Sequence, residues 1–96
     1  MTSWCSAGGP ERFVVRSWSG DEGIVYDMNS GDTHLLEPLA LELMQRLEPG
    51  IARSARALLD GLAEIIADDG AEHALAAIEQ SLESMRRVGL VVALPA

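Results

Sequence analysis

Residues 23–47 constrain the fold of this chain more than any other stretch, because they join a β-hairpin directly to a helix. Residues 24–26 are β-branched and aromatic, residues 29–32 supply turn chemistry, and residues 33–36 resume an extended apolar segment. Pro38 then suits the first position of a helix, where its missing N–H removes no hydrogen bond. Behind it, apolar residues recur at steps of three and four, as one face of a helix requires: Leu39, Ala40, Leu43, Met44 and Leu47. The stretch therefore predicts two antiparallel strands fixed to a helix at one corner.

The residues before the hairpin predict a third strand. Residues 13–18 are rich in β-branched and aromatic side chains, and residues 19–23 form a polar turn that leads into the hairpin. Residues 1–12 are small, polar and rich in glycine, so we expect a flexible N-terminal tail followed by a single domain at residues 13–96. A three-stranded sheet is stable only if one face is covered, and the helices downstream are the available cover.

Two further helices are predicted after the first. Ser54 suits the N-cap of the second helix, which should end within residues 67–70. Asp69, three residues before a glutamate, has the spacing of a capping box for the third helix, which should end at Gly89 before a short extended segment at residues 90–94. Three strands followed by three helices predict an α+β domain, and the last two helices have the outline of a winged helix-turn-helix.

The charge balance limits the partners that this chain can bind. The 96 residues carry a formal net charge of -8, and the 7 cationic residues are all arginine. Binding to a nucleic-acid backbone needs clustered cations that displace counterions, so the composition argues against that partner. The sequence has no apolar run of about 18 residues that could span a membrane, and a lone Cys5 can form no internal disulfide. We therefore expect a cytoplasmic protein.

The sequence carries no pattern typical of a metal site or an active site, so we expect neither a cofactor nor catalysis. His34, His73 and Cys5 are too few and too scattered for metal ligation. Residues 27–38 superficially resemble a calcium loop, but the glycine falls at the fifth place and a proline occupies the twelfth, where a bidentate glutamate is required. No Ser, Cys or His arrangement suggests an activated nucleophile, and no glycine-rich phosphate loop is present.

Two motifs give the chain a resemblance to a known family. Residues 25–40 contain a Gly-Asp-Thr-His-Leu-Leu run shortly before Pro-Leu-Ala, and residues 85–91 read Met-Arg-Arg-Val-Gly-Leu-Val. In these motifs the chain resembles the PqqD-type peptide chaperones, the recognition elements of ribosomally made, post-translationally modified peptides. It is most similar to those found beside a kinase related to the HPr kinase, and the resemblance covers roughly residues 13–92. The resemblance implies that a precursor's leader peptide is held as an added strand between the third strand and the third helix.

The resemblance also implies a function and a set of contact residues. The chain would be a non-catalytic chaperone or adaptor that presents the leader peptide to a modifying enzyme encoded nearby, of the HPr-kinase-related or the radical-SAM type. Main-chain hydrogen bonds along the edge strand would provide affinity, and alternate side chains would provide selectivity. His34 and Leu36 share one face of that strand, Thr33 and Leu35 share the other, and either face could look into the core. The implied peptide-binding residues are Thr33, His34, Leu35, Leu36, Leu75, Ile78, Glu79, Leu82 and Arg86.

Two other functions stay open from the sequence. The outline of the last two helices allows a winged-helix DNA-binding regulator, although residues 72–88 carry three glutamates against two arginines, the opposite of an electrostatic footprint for DNA. A scaffold or dimerisation module for a kinase-like partner would share the same fold. The oligomeric state is equally open between a monomer and a dimer in which the strand at residues 13–18 pairs or swaps between copies.

Overall fold

Within its described residues the chain folds into two small antiparallel sheets and three helices. The computed structural model describes residues 2–18, 22–62 and 71–95. In chain order the elements are β1 Thr2–Ser6, β2 Phe13–Trp18, β3 Glu22–Asp27, β4 Thr33–Leu36, α1 Pro38–Arg46, β5 Arg53–Ser54, α2 Ala55–Gly61, α3 Ala71–Arg87 and β6 Val91–Pro95. This order confirms the predicted α+β class, with a three-stranded antiparallel sheet and three helices.

The predicted three-stranded sheet is present, with the strand order β2-β3-β4. Val15 lies opposite Val25, and Val25 lies opposite His34. Gly31 closes the hairpin at φ 79°, a conformation that glycine adopts without a steric cost. Because side chains alternate along a strand, Val25 and Leu36 share the face that is buried in the core. The hairpin therefore leads directly into α1, as the sequence of residues 23–47 predicted.

The N-terminal residues differ from the predicted flexible tail. Residues Thr2–Ser6 form β1, the central strand of a second sheet with the order β5-β1-β6. Trp4 and Cys5 are buried, and β1 pairs along its full length with Val91–Pro95 at the other end of the chain. The prediction failed because this strand is stabilised by a partner about ninety residues away in sequence, and local composition carries no trace of that pairing. The folded body therefore includes residues 2–12.

The first two helices begin where local signals placed them. Pro38 occupies the first turn of α1, which ends at Arg46, one residue before the predicted end. The hydroxyl of Ser54 accepts a hydrogen bond from the Ala57 N–H at 3.1 Å, which confirms Ser54 as the N-cap of α2. Helix α2 ends earlier than predicted, at Gly61 with Leu62 as its C-cap, whereas the predicted end lay within residues 67–70. The predicted cap at Asp69 lies outside the described residues. The helix-turn-helix outline depends on the same segment.

Helix α3 ends as predicted, at a glycine. Gly89 has φ 83°, and its N–H donates to the carbonyl of Arg86 at 3.1 Å. The N–H of Leu90 reaches back to the carbonyl of Met85 at 3.0 Å. These two bonds form a Schellman motif, which satisfies carbonyl groups that the helix leaves unpaired at its end. The motif reverses the chain so that β6 starts directly at the end of α3.

The core lies between the sheets and the helices. Helices α1 and α2 both pack against α3, and α1 also packs against β3 and β4. The largest fully buried side chains include Leu43, Leu62, Ile78, Leu82 and Leu90. Among the described helices, none combines the length and the apolar character that crossing a membrane would need.

Candidate functional site

A groove of about 620 Å³ lies between β4 and α3. Its first wall is β4 with the corner that leads into α1, and its second wall is the C-terminal half of α3. The residues that line this β4–α3 groove are Glu22, Thr33, His34, Leu35, Leu36, Glu37, Pro38, Ala40, Ser81, Ser84, Met85, Val88 and Leu90. Apolar side chains from both walls stand beside a few polar ones, a mixture typical of recognition sites.

Strand β4 lies at the border of its sheet in the part of the chain that the structure describes. Within residues 2–18, 22–62 and 71–95, β4 pairs with β3 alone. The Asp27 N–H donates to the Asp32 carbonyl at 2.8 Å, and hydrogen-bonded pairs alternate with non-hydrogen-bonded pairs along an antiparallel ladder. The even-numbered residues of β4 therefore exchange hydrogen bonds with β3. The main-chain N–H and C=O groups of Thr33 and Leu35 are directed to the open edge.

The pairing of β3 with β2 leads independently to the same assignment of the hydrogen bonds. The Met28 N–H donates to the Arg12 carbonyl at 2.7 Å, at the start of the ladder between β2 and β3. Alternation then assigns the even-numbered residues of β3 to β2 and leaves the odd-numbered residues, such as Val25, for β4. Both hydrogen bonds thus agree on which groups of β4 are free.

The structure also decides which face of β4 turns to the core. Leu36 is 4 % exposed, whereas Leu35 is 71 % exposed. His34 is half-buried on the same face as Leu36, and Thr33 is exposed with Leu35. A strand added beside β4 would follow the same alternation, because directly opposite residues share a face. Its residues opposite His34 and Leu36 would therefore direct their side chains toward α3.

Glu37 connects the two walls of the β4–α3 groove. It occupies the N-cap position of α1, yet its side chain makes no capping hydrogen bond. Instead, the hydroxyl of Ser81 on α3 donates to Oε1 of Glu37 at 3.2 Å, which gives a buried hydroxyl its partner. A second hollow shares Glu37, Pro38, Ser81 and Ser84 with the groove and extends it along α3 toward Ala77. The two hollows together make an elongated depression that runs along α3, past β4 and the start of α1.

The predicted contact residues divide unequally between the two walls. All four residues of β4 line the groove. The five predicted on α3 do not: Ile78 and Leu82 are fully buried in the core, and Leu75 is half-buried and packs against that core. Glu79 and Arg86 are exposed on other parts of the helix surface. The α3 side of the predicted site is therefore corrected, because these five residues lie outside the groove lining.

The α3 residues that do line the groove are Ser81, Ser84, Met85 and Val88. Met85 belongs to the core stripe and lines the groove as well. The prediction missed Ser81, Ser84 and Val88 because it followed the strongest apolar stripe of the helix, which packs into the core. Ser81, Ser84 and Val88 recur at steps of three and four on the neighbouring stripe, where two hydroxyls weaken the apolar pattern. This half-polar stripe beside the core stripe is the sequence pattern that could have identified the α3 wall of the groove.

Asp27 stabilises the hairpin next to the site. Nε and Nη2 of Arg12 donate to Oδ1 and Oδ2 of Asp27, each at 3.1 Å, and the Asn29 N–H donates to Oδ1 at 2.9 Å. The hydrogen bonds from Arg12, aided by the one from Asn29, outweigh desolvation and lower the pKa of Asp27 from 3.8 to about 2. This carboxylate, the first of the residues that resemble a calcium loop, is thus engaged by Arg12 and by its own turn.

The cations at the end of α3 are held away from the groove lining. Arg86 donates hydrogen bonds from its guanidinium to the carboxylate of Glu83, and Arg87 lies 3.8 Å from the same carboxylate. The hydrogen bond from Arg86 lowers the pKa of Glu83 and raises the pKa of Arg86. All three residues lie outside the lining of the β4–α3 groove.

Among the described residues, no group of three or more His, Cys, Asp or Glu side chains is placed to hold a metal ion. The features of the β4–α3 groove that can act on a ligand are thus a free strand edge, an apolar floor and a few hydroxyl and carboxylate groups.

Comparison with known proteins gives no match: no protein-family model, no curated protein and no solved structure matches this chain.

Proposed function

We propose that this chain is a non-catalytic adaptor that captures an extended peptide as an additional strand on β4 and presents it to a modifying enzyme. The observation that carries the proposal is the β4–α3 groove, which lies beside an edge of β4 that no strand of the described residues pairs with. An exposed strand edge is a template for a further strand, and adjacent side-chain pockets select which strand is accepted.

The free edge supplies the main-chain part of this recognition. Thr33 and Leu35 each direct one N–H and one C=O outward, so a captured strand would form up to about four main-chain hydrogen bonds. These bonds are independent of the peptide's sequence. They fix its direction and register, and they leave selection to the side chains.

The apolar floor of the groove supplies the selective part. Peptide residues opposite His34 and Leu36 would enter the space bounded by Met85 and Val88. Two such residues are separated by one position, because alternate side chains of a strand share a face. We therefore expect the bound segment to carry two apolar residues in the pattern apolar-x-apolar.

The resemblance to the PqqD-type peptide chaperones supports the same site from the sequence. It rests partly on residues 31–36, which form β4 and the end of its turn, and partly on residues 85–91, which include Met85 and Val88 of the second wall. On this basis the ligand would be a precursor's leader peptide, the location cytoplasmic, and the partner an HPr-kinase-related or radical-SAM enzyme encoded nearby.

The DNA-binding alternative gains no support from the charges of α3. Glu72 and Glu79 are exposed on the helix, while Arg86 and Arg87 both lie against Glu83. A helix that enters a DNA groove needs cations free to meet phosphates.

The test is an NMR titration of the ¹⁵N-labelled chain with synthetic peptides that cover the short reading frames beside its gene. Strand capture predicts chemical-shift changes at β4 and at the C-terminal half of α3. We expect Val88→Arg to block binding, because Val88 lines the groove and is 48 % exposed. A cation is tolerated at that end of a helix, so the variant should fold.

Val92→Arg is the matched control, because Val92 is 40 % exposed on β6 and lies outside the groove lining. This variant should bind the peptide as the unmodified chain does. Equal loss of binding in both variants, shift changes confined to other elements, or no binding at millimolar peptide would each refute the proposal.

A further inference from the structure

The β4–α3 groove has a charged end. Among the described residues that line it, those with charged side chains are Glu22 and Glu37, and both are acidic. Gly23 lies opposite Leu36 in the register of β3 and β4, so the next position outward brings residue 22 beside residue 37. Both glutamates are exposed. The two carboxylates therefore mark the same end of the groove, where β4 passes into α1.

Within the part of the chain that the structure describes, no arginine lines this end of the groove. Arg12 is bound to Asp27, and Arg86 and Arg87 lie against Glu83. None of these three arginines lines the β4–α3 groove. The chain as a whole carries a formal net charge of -8, which adds a long-range negative potential to the local one.

We infer that the captured segment carries an arginine or lysine one or two positions beyond its apolar pair, at the end that meets Glu22 and Glu37. This inference rests on the proposed function and adds the charge of the ligand to it. The added strand's residue opposite Leu36 enters the groove, so the positions that follow it reach Glu37. A guanidinium suits this place because it donates to carboxylate oxygens in a planar, bidentate geometry.

Glu37 is oriented for this role before any ligand arrives. The hydroxyl of Ser81 donates to Oε1 of Glu37 at 3.2 Å and thereby ties the carboxylate to α3. The other oxygen, Oε2, makes no hydrogen bond to the described residues. A side chain that is already held loses less conformational freedom on binding, which favours the ion pair.

The experiment uses a series of acetylated and amidated ten-residue peptides titrated into the full chain and followed by NMR. Each peptide contains Val-Thr-Val, with Arg, Gln or Glu placed one or two positions before or after it. We expect Arg at one end of the pair to improve affinity about fivefold over Gln, the upper range for a single exposed ion pair. Glu at the same position should weaken binding.

The double variant Glu22→Gln with Glu37→Gln should bind the Arg and Gln peptides equally, because it removes both carboxylates. The amide oxygen introduced at position 37 can still accept the hydrogen bond from Ser81, so the groove should keep its shape. The double variant Glu72→Gln with Glu79→Gln removes the same formal charge from exposed sites outside the groove, and it should keep the preference. A preference that survives in the first variant, or disappears equally in both, overturns the inference.

The two proposals fail in different ways. Equal affinity for Arg, Gln and Glu peptides, with shift changes still at β4 and α3, overturns the charge preference and leaves strand capture intact. Absence of binding by every peptide of the series at millimolar concentration overturns both.

Discussion

A pair of proline substitutions tests, without any ligand, which N–H groups of β4 pair with β3 and which face the open edge. The hydrogen-bond pattern assigns the N–H of His34 to the carbonyl of Val25 and the N–H of Leu35 to the open edge. Proline removes the N–H at the position where it is placed. His34→Pro should therefore remove one hydrogen bond between β3 and β4, whereas Leu35→Pro should leave every hydrogen bond between these strands in place.

The expected difference follows from the burial of the partner group. Val25 is 0 % exposed, so in His34→Pro its carbonyl is left unpaired and buried, which costs about 1–3 kcal/mol. Leu35→Pro loses no ladder hydrogen bond, and proline on a compatible edge position stabilises by about 0.4–1 kcal/mol through the unfolded state. The two variants should thus differ by about 2 kcal/mol in the free energy of unfolding, or on the order of 10 °C in Tm for a domain of this size.

The assay is urea unfolding followed by circular dichroism, with His34→Ala and Leu35→Ala as references. Subtracting each alanine variant from the proline variant at the same position removes the contribution of the lost side chain. An unchanged m-value would show that both proline variants unfold from an equally compact state. If Leu35→Pro is the more destabilising of the two, the free groups belong to His34 and Leu36, and the proposed edge for strand capture is wrong.

Three further predictions concern the elements that hold the groove in place. The pKa of Asp27 is lowered from 3.8 to about 2, so the stability it contributes is complete above about pH 4 and is lost as the pH falls toward 2; Asp27→Asn should flatten the fall in urea-unfolding free energy over that interval. Gly89→Ala should cost about 1 kcal/mol, because φ 83° is strained for alanine, and Gly89→Asn should cost less; thermal unfolding of the two variants compares them. Leu82→Ala should cost about 2–5 kcal/mol because Leu82 is 0 % exposed, whereas Leu35→Ala should stay within about 0.5 kcal/mol, and comparable losses in chemical denaturation would contradict the assignment of the core face.

The features that the sequence predicted well are those set by local chemistry. Pro38 begins α1, Ser54 caps α2 and Gly89 ends α3, because each of these residues satisfies a requirement of the backbone at its own position. Residues 33–36 formed the expected strand for the same reason, since the turn before them and the proline after them fix its ends. The sheet of β2, β3 and β4 and the presence of three helices were predictable from signals of this kind.

The features that were not predicted from the sequence depend on contacts between distant residues. Strand β1 exists because Val91–Pro95 and Arg53–Ser54 flank it, and neither partner is visible in the composition of residues 2–6. The α3 wall was misplaced because its rotation is set by packing against α1 and α2. The core took the apolar stripe that includes Ile78, and the groove received the stripe that includes Ser84. An amphipathic pattern identifies a buried face, but it does not say which neighbouring stripe borders a cleft.

The size of the free edge limits how tightly a short peptide can bind. About four main-chain hydrogen bonds at about 1 kcal/mol each give about 4 kcal/mol, which is no more than the lower estimate of about 4 kcal/mol for the cost of association. Two apolar side chains buried in the β4–α3 groove add about 2 kcal/mol each, so the net gain is about 4 kcal/mol and the expected Kd of a ten-residue peptide is about 1 mM. Tighter capture requires contacts beyond the main chain of β4, and the exposed apolar side chains of Leu35 on β4 and Tyr26 on β3 offer surface for them. A longer peptide should therefore bind more tightly than its ten-residue core. Nanomolar affinity of the core alone would mean that binding depends on an interaction other than strand addition to this short edge.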